Sequence, residues 1–226
     1  PDGKKLVYIS EKSLWMAPVH GYTKPNIAGE PVKLTENMNL WELANMNVTW
    51  SANSKWLVFY ATEKGNDVIY KVSANGGNLE KVIIDQSRSN IGGYDYRMSL
   101  SPDGKLLAYV DCDKNNIPFI NVIQTDGGSS KKLTESGYRE PSFSPDGKFV
   151  AMVQIEEKNK LGDKICVIPV KGGKTILISG DAEVVKSPVW SPDGSMIAFL
   201  ARKYEKGRAN SSNELWIAAI EKNGKP

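Results

Sequence analysis

Ser101-Pro102-Asp103-Gly104, Ser144-Pro145-Asp146-Gly147 and Ser191-Pro192-Asp193-Gly194 are one tetrapeptide written three times in a chain of 226 residues. Pro1-Asp2-Gly3-Lys4 is the same string without its serine, and Ser51-Ala52-Asn53-Ser54-Lys55 is a decayed copy. Measured at the aspartate position, the copies fall at Asp2, Asn53, Asp103, Asp146 and Asp193, so successive gaps are 51, 50, 43 and 47 residues. Self-similarity at such a period is the mark of a repeat architecture. The motif suits a tight turn. Proline sets φ at the first turn position, aspartate bonds nearby backbone, and glycine takes the left-handed position. These aspartates are therefore read as turn residues and not as catalytic acids.

The neighbours of each copy repeat too. Before the turn comes a short strand A ending at Trp50, Leu100, Phe143 or Trp190. After it comes an apolar strand B at 6–9, 56–61, 106–110, 149–153 and 196–201. These runs are apolar on both faces, so each must be buried on both sides, as between stacked sheets. Strand C follows at 14–19, 68–72, 119–123, 165–170 and 215–220. Glycine pairs at Gly76-Gly77, Gly127-Gly128 and Gly172-Gly173 then supply the positive φ of a hairpin turn. Strand D closes the unit at 32–35, 80–84, 131–134 and 175–179.

Four strands per unit at a period of about 47 residues describe a blade. One four-stranded sheet cannot bury two apolar faces, and radial stacking of blades does. The expected fold is all-β, a β-propeller without substantial helix. It is read as a single domain over 1–226, with blades at about 1–35, 46–84, 96–134, 139–179 and 186–226. Three of these are complete. The first lacks A, and the last stops where D is due, so the chain reads as a fragment, with a further blade, or a clipped segment, outside it.

Ser-Pro-Asp-Gly-Lys, the apolar strand, Asp-Gly-Gly and then Lys131-Lys132-Leu133-Thr134 together resemble the TolB-type, WD-like propeller repeat. The resemblance implies a ring that is commonly six-bladed, strand A innermost, export to the periplasm of a bacterium, and a role as an interaction platform.

Composition narrows the functions. With 29 Lys and Arg against 26 Asp and Glu, the formal charge is +3, and the basic residues are scattered. That is no nucleic-acid footprint. Apolar runs such as 56–61 are far shorter than the ~20 residues of a membrane-spanning helix. His20 is the only histidine and reads as a surface residue in a turn insertion. Cys112 and Cys166 have no metal or redox spacing and read as buried thiols. No G-x-S-x-G elbow and no phosphate-cradling loop occurs. Asp111-Cys112-Asp113-Lys114-Asn115-Asn116 imitates the start of a calcium loop, but the twelfth position is Val122 where a bidentate glutamate belongs. The reading is a solvated B–C loop. No catalytic residue, metal or cofactor is assigned.

Insertions at 20–31, 38–47, 85–96, 156–163 and 203–212 lengthen the loops, where binding commonly resides. Stepping back three residues from the end of each A strand gives Asn47, Arg97, Glu140 and Ser187, a polar position among mostly apolar neighbours. Trp41, Tyr96, Tyr138 and Arg139 lie nearby. This channel-mouth set is the candidate site for a protein partner, a peptide or a small ligand. Arg97 could equally do no more than pair with Glu140 of the next blade. The leading expectation is a non-catalytic binding scaffold. The alternative is the gating propeller of a prolyl-oligopeptidase-type serine peptidase whose catalytic domain lies outside the chain. A metal-dependent propeller lyase ranks last, because one histidine is too few.

Overall fold

The computed structural model describes residues 1–20, 26–27, 29–36, 38, 48–63, 66–84, 97–155, 162–180, 183–202 and 213–221. Among them there is no helix. Among the described residues, nineteen strands form five antiparallel sheets. Sheet 1 holds β1 (Lys5–Ser10), β2 (Ser13–His20), β3 (Asn26–Ile27) and β4 (Val32–Lys33); sheet 2 holds β5 (Val48–Trp50), β6 (Trp56–Glu63), β7 (Asn66–Ser73) and β8 (Glu80–Ile84). Sheet 3 holds β9 (Met98–Leu100), β10 (Leu106–Cys112), β11 (Pro118–Gln124) and β12 (Lys131–Lys132). Sheet 4 holds β13 (Tyr138–Phe143), β14 (Phe149–Gln154), β15 (Lys164–Pro169) and β16 (Ile176–Leu177). Sheet 5 holds β17 (Glu183–Trp190), β18 (Met196–Arg202) and β19 (Glu214–Ala219). Sheets 2 to 4 run in chain order A-B-C-D, as the repeat requires.

The chain forms two compact units. One is Pro1–Arg88 with Gln124–Ser129, and the other is Ser89–Ile123 with Ser130–Pro226. In the first, Leu57, Phe59, Ala61, Val68, Tyr70 and Val72 of sheet 2 pack on Leu14, Met16 and Leu34. Phe59 and Tyr70, directly paired across β6 and β7, stack with ring centroids 5.8 Å apart.

In the second unit, sheet 4 shows why its strands are apolar throughout. Val150, Met152, Cys166 and Ile168 point one way, into a core with Ala108, Ile120, Val122 and Leu133 of sheet 3. Ala151, Val153, Ile165 and Val167 point the other way, onto Trp190, Ile197, Phe199 and Ala201 of sheet 5. Side chains alternate along a strand, so a sheet between two sheets needs apolar residues at every position.

The tetrapeptide closes the A–B hairpin in the same way each time. In blade 3 the Ser101 hydroxyl donates to Asp103 Oδ1 (2.6 Å) and accepts from Leu106 N (2.9 Å), while Lys105 N donates to Asp103 Oδ1 (3.0 Å). Blade 4 repeats this with Ser144, Asp146, Lys148 and Phe149, and blade 5 with Ser191, Asp193, Ser195 and Met196. The decayed copy keeps it: Asn53 replaces the aspartate, and Ser54 stands at φ 57° where glycine belongs. Gly147, at φ +69°, also lies tight against the preceding blade, since a Cβ there would sit 3.4 Å from Pro102 Cδ.

Strand D is shorter than the sequence predicts, with two residues in the ladder of sheets 1, 3 and 4. The rest turns out of the ladder to anchor strand C. Leu34 N, Leu133 N and Ile178 N donate to the carbonyls of Leu14, Ile120 and Ile165. The hydroxyls of Thr35, Thr134 and Ser179 accept from the N–H of the same three residues at 2.9–3.0 Å, all buried.

Candidate functional site

Three of the four ring residues are described, and the second unit brings them together. Asn47, Trp41 and Tyr96 lie outside the described residues. Each ring position is six residues before the turn aspartate. In sheets 4 and 5 it is a β-bulge. Between Arg139 and Ser142, β13 spends three steps while β14 spends two, from Val153 to Ala151. Between Lys186 and Val189, β17 does the same against Leu200 to Ala198. Glu140 and Ser187 are the extra residues, with φ of 56° and 58°. A bulged residue leaves the ladder, and its N–H must bond elsewhere. Ser187 N donates to Glu140 Oε2 on the neighbouring sheet at 2.6 Å. Pro141 and Pro188 follow the bulged residues directly and have no N–H to place there.

Glu140 is the hub. Its side chain is fully buried, yet it carries a charge, so it must be paired. Arg139 donates to Glu140 Oε1, and Arg97 Nη1 lies 3.5 Å from Glu140 Oε2. Arg97 Nη1 also donates to Ser187 Oγ at 2.8 Å. Arg139 Nη2 donates to Asp163 Oδ2 at 2.8 Å. Arg97 precedes β9, Glu140 sits on β13 and Ser187 on β17, so one carboxylate ties three successive blades. The anticipated pairing of Arg97 with Glu140 is thus present. Arg97 nonetheless keeps 35% of its side chain exposed, against 17% for Arg139. Tyr138 is half-buried on the core of sheets 3 and 4.

Two features escaped the sequence reading. Asp163, at the end of an insertion, braces Arg139 from 24 residues away. The bulge itself is signalled only by the prolines, Glu140-Pro141 and Ser187-Pro188.

The other candidates find structural roles. His20 is exposed at the end of β2. Cys112 and Cys166 are buried free thiols, and Cys166 Sγ lies 3.3 Å from Gln154 Oε1. In the calcium-like string, Asp113 accepts from Asn115 N and Ile117 N through Oδ1 and from the Ser136 hydroxyl through Oδ2 (2.6 Å). The Ser136 bond leads in holding this carboxyl below its ordinary value. Asp111 accepts from Cys112 N and Asn121 Nδ2. Both carboxylates are engaged in shaping the hairpin between β10 and β11.

The turn aspartates are held low too. The Ser101 hydroxyl, then Lys105 N–H, lowers Asp103. Asp146 is lowered although burial pushes it up, because Ser144 and Lys148 outweigh that push together. Asp193 is lowered to about 2 by the Ser191 hydroxyl and the Ser195 N–H and hydroxyl. Carboxylates held ionised and hydrogen-bonded in hairpins are poor proton donors.

Comparison with known proteins agrees with the fold. The chain is 25% identical over 190 residues to an uncharacterized protein of Agrobacterium fabrum, covering 79% of this chain and 60% of that one. It is 30% identical over 150 residues to a Protein TolB homolog of Chlorobium luteolum, covering 66% of this chain and 32% of that one. Over 118 residues it is 30% identical to Dipeptidyl-peptidase 5 of Porphyromonas gingivalis, covering 46% of this chain and 17% of that one. The chain therefore spans less than two thirds of the length of these relatives. A TolB-type structure from Agrobacterium tumefaciens superposes with a TM-score of 0.70 at 20% identity, covering all of this chain and 76% of that one. A family profile described as the TolB beta propeller domain matches residues 1–162, and with its repeated four-stranded blades this chain belongs to that β-propeller family.

Proposed function

We propose that this chain is a non-catalytic binding scaffold that engages a protein or peptide segment at the blade end carrying Arg97, Glu140, Ser187, Tyr138 and Arg139. The observation that carries the reading is Arg97. Its guanidinium is held by Ser187 and Glu140, yet a third of the side chain faces solvent. A cation already fixed loses little further freedom when a partner docks, and its planar fork suits backbone carbonyls or carboxylates. The bonding of the turn aspartates into hairpins supports a non-enzymatic role. Export to the periplasm is part of the proposal and rests on family membership.

The test is selection of peptides on the immobilised chain from a random phage library, followed by Arg97→Glu. Enriched peptides are expected to bind the variant at least about tenfold more weakly, a change of ~1.4 kcal/mol, while a Lys148→Glu variant, in the turn at the opposite end of sheet 4, binds normally. Peptides that bind Arg97→Glu as tightly as the parent would remove the site.

One observation favours a second reading. The match to Dipeptidyl-peptidase 5 covers 17% of that protein, which fits a propeller attached to a larger enzyme. In that case this chain gates access to a hydrolase encoded elsewhere on the same polypeptide, and a fluorophosphonate probe would label the longer polypeptide but not residues 1–226.

A further inference from the structure

Lysines of one blade reach the turn between strands C and D of the next. Lys5 Nζ donates to Asn75 Oδ1 at 2.8 Å and to the carbonyl of Ala74 at 3.4 Å. Lys71 Nζ donates to Asp126 Oδ1 at 3.2 Å, and Lys131 Nζ to the carbonyl of Lys171 at 3.1 Å. Asn75, Asp126 and Lys171 hold one position of the repeat, directly before Gly76-Gly77, Gly127-Gly128 and Gly172-Gly173. Gly76 stands at φ +81°, so the turn itself demands glycine there. Asn75 is exposed, and a glycine after it leaves the approach of the next backbone nitrogen to its side-chain Cγ unobstructed. The sequence has a second Asn-Gly pair, Asn223-Gly224, outside the described residues.

We propose that Asn75 is a self-modifying site, converted through a succinimide to aspartate or isoaspartate, with Lys5 stabilising the oxyanion of the attack. The Gly76 N–H gives its proton to hydroxide, the nitrogen bonds to Asn75 Cγ, and the Cγ–Nδ2 bond breaks. The leaving nitrogen takes a proton from water and departs as ammonia. Water then opens one of the two imide C–N bonds, which leaves a carboxylate at position 75. Negative charge develops on Oδ1 as the nitrogen adds, and the Lys5 ammonium already donates to that atom. The backbone opposes the reaction, because Gly76 N donates to Ser73 O at 3.0 Å and must leave it. The Asp-Gly turns carry the same restraint: Gly104, Gly147 and Gly194 donate through N–H to the carbonyls of Ser101, Ser144 and Ser191 at 2.8–2.9 Å. Their aspartates are also held ionised, and a carboxylate resists a nucleophile that a neutral amide accepts. The product has a partner in place. An aspartate at position 75 meets Lys5 as Asp126 meets Lys71, so a neutral contact between sheets 1 and 2 becomes an ion pair.

The test is incubation of the folded chain at mildly alkaline pH, with aspartate and isoaspartate at positions 75 and 223 counted by peptide mapping with electron-transfer fragmentation. The parent is expected to convert Asn75. An oxyanion donor in a dry, preorganised site is worth ~10²–10³ in rate, and an exposed one less. Lys5→Met should therefore slow conversion at position 75 by at least about threefold, while Asn223 in the same sample converts at the parental rate. Lys5→Arg, which keeps a donor, should keep the rate, and far-UV circular dichroism checks that each variant is folded. In urea, where the contact is gone, the parent and Lys5→Met should convert equally. An unchanged or faster rate in folded Lys5→Met overturns the proposal. So does an Asn75 that stays intact in the folded parent for the time in which the urea-unfolded chain is converted there.

Discussion

Trp190 and Val189 are neighbours on β17, and the alternation of side chains sends them to opposite fates. Trp190 is 9% exposed in the core between sheets 4 and 5, and its Nε1 donates to Ser142 O at 3.1 Å. Val189 is 59% exposed on the other face. A buried tryptophan removes ~150–250 Å² from water, worth ~4–6 kcal/mol at ~25 cal/mol/Å² as an upper estimate. Measured Trp→Ala losses of ~3–5 kcal/mol include the cavity left behind. The indole hydrogen bond adds ~1 kcal/mol. Trp190→Ala is therefore expected to cost about 4 kcal/mol. Trp190→Phe, which keeps a ring but loses the indole bond to the Ser142 carbonyl, should cost ~1–2 kcal/mol. Val189→Ala in the 226-residue chain should cost under ~0.5 kcal/mol. The assay is urea unfolding followed by far-UV circular dichroism, which does not depend on the deleted fluorophore. Because the chain forms two compact units, each transition is fitted separately, and the loss is expected in the unit containing sheets 3 to 5. A Trp190→Ala loss below ~1 kcal/mol, or a Val189→Ala loss equal to it, would refute the placement of that blade interface.

Two further predictions concern the turns. Ser144→Ala deletes the donor to Asp146 and the acceptor for Phe149 N, so it should cost ~1–3 kcal/mol in the same assay, whereas Asp103→Asn should cost less, since Asn53 already performs that role in blade 2. Asp193 sits near 2 in the folded chain against 3.8 ordinarily. A carboxyl whose folded value is depressed contributes stability that is present above the unfolded value and is lost as pH falls through the folded one. Tm should therefore drop between about pH 4 and pH 2, and Asp193→Asn should make that drop shallower; an unchanged acid profile would show that the Ser191 and Ser195 bonds do not persist in solution.

Legibility in the sequence followed the range of the interactions. The hairpin turn is closed by residues within five positions of one another, so Ser101 to Leu106 could be read directly. The two-faced burial of β14 was legible because it leaves an uninterrupted apolar run, Phe149 to Val153. Strand D misled at its end, because Leu133-Thr134 looks like strand and instead turns to hold Ile120 N by a hydroxyl. The Glu140 cluster was legible only as a polar position. Its bonds span 47 residues to Ser187 and 24 from Arg139 to Asp163, and no local pattern encodes such distances. The glutamate's burial and the left-handed bulge follow from those bonds, and they could not be foreseen without them.

The contrast between turn and ring position also explains why this repeat varies where it does. Each Ser-Pro-Asp-Gly turn bonds chiefly to itself, so the same residues serve in every blade. The position six residues earlier bonds to its counterparts in other blades, and there identical residues would fail. Three glutamates in a row would set buried like charges against one another, while an arginine, a glutamate and a serine in succession supply a cation, an anion and a neutral donor that satisfy one another. Glu140 consequently belongs to the scaffold as much as to the candidate site. Removing it leaves Arg139 to Asp163 alone and takes away the acceptor of the Ser187 N–H, and breaking a buried pair in this way costs ~3–5 kcal/mol. A binding defect in a Glu140 variant would therefore report damage to the blades. Arg97, the most exposed charge of the cluster and the one at its rim, is the residue at which binding and folding separate.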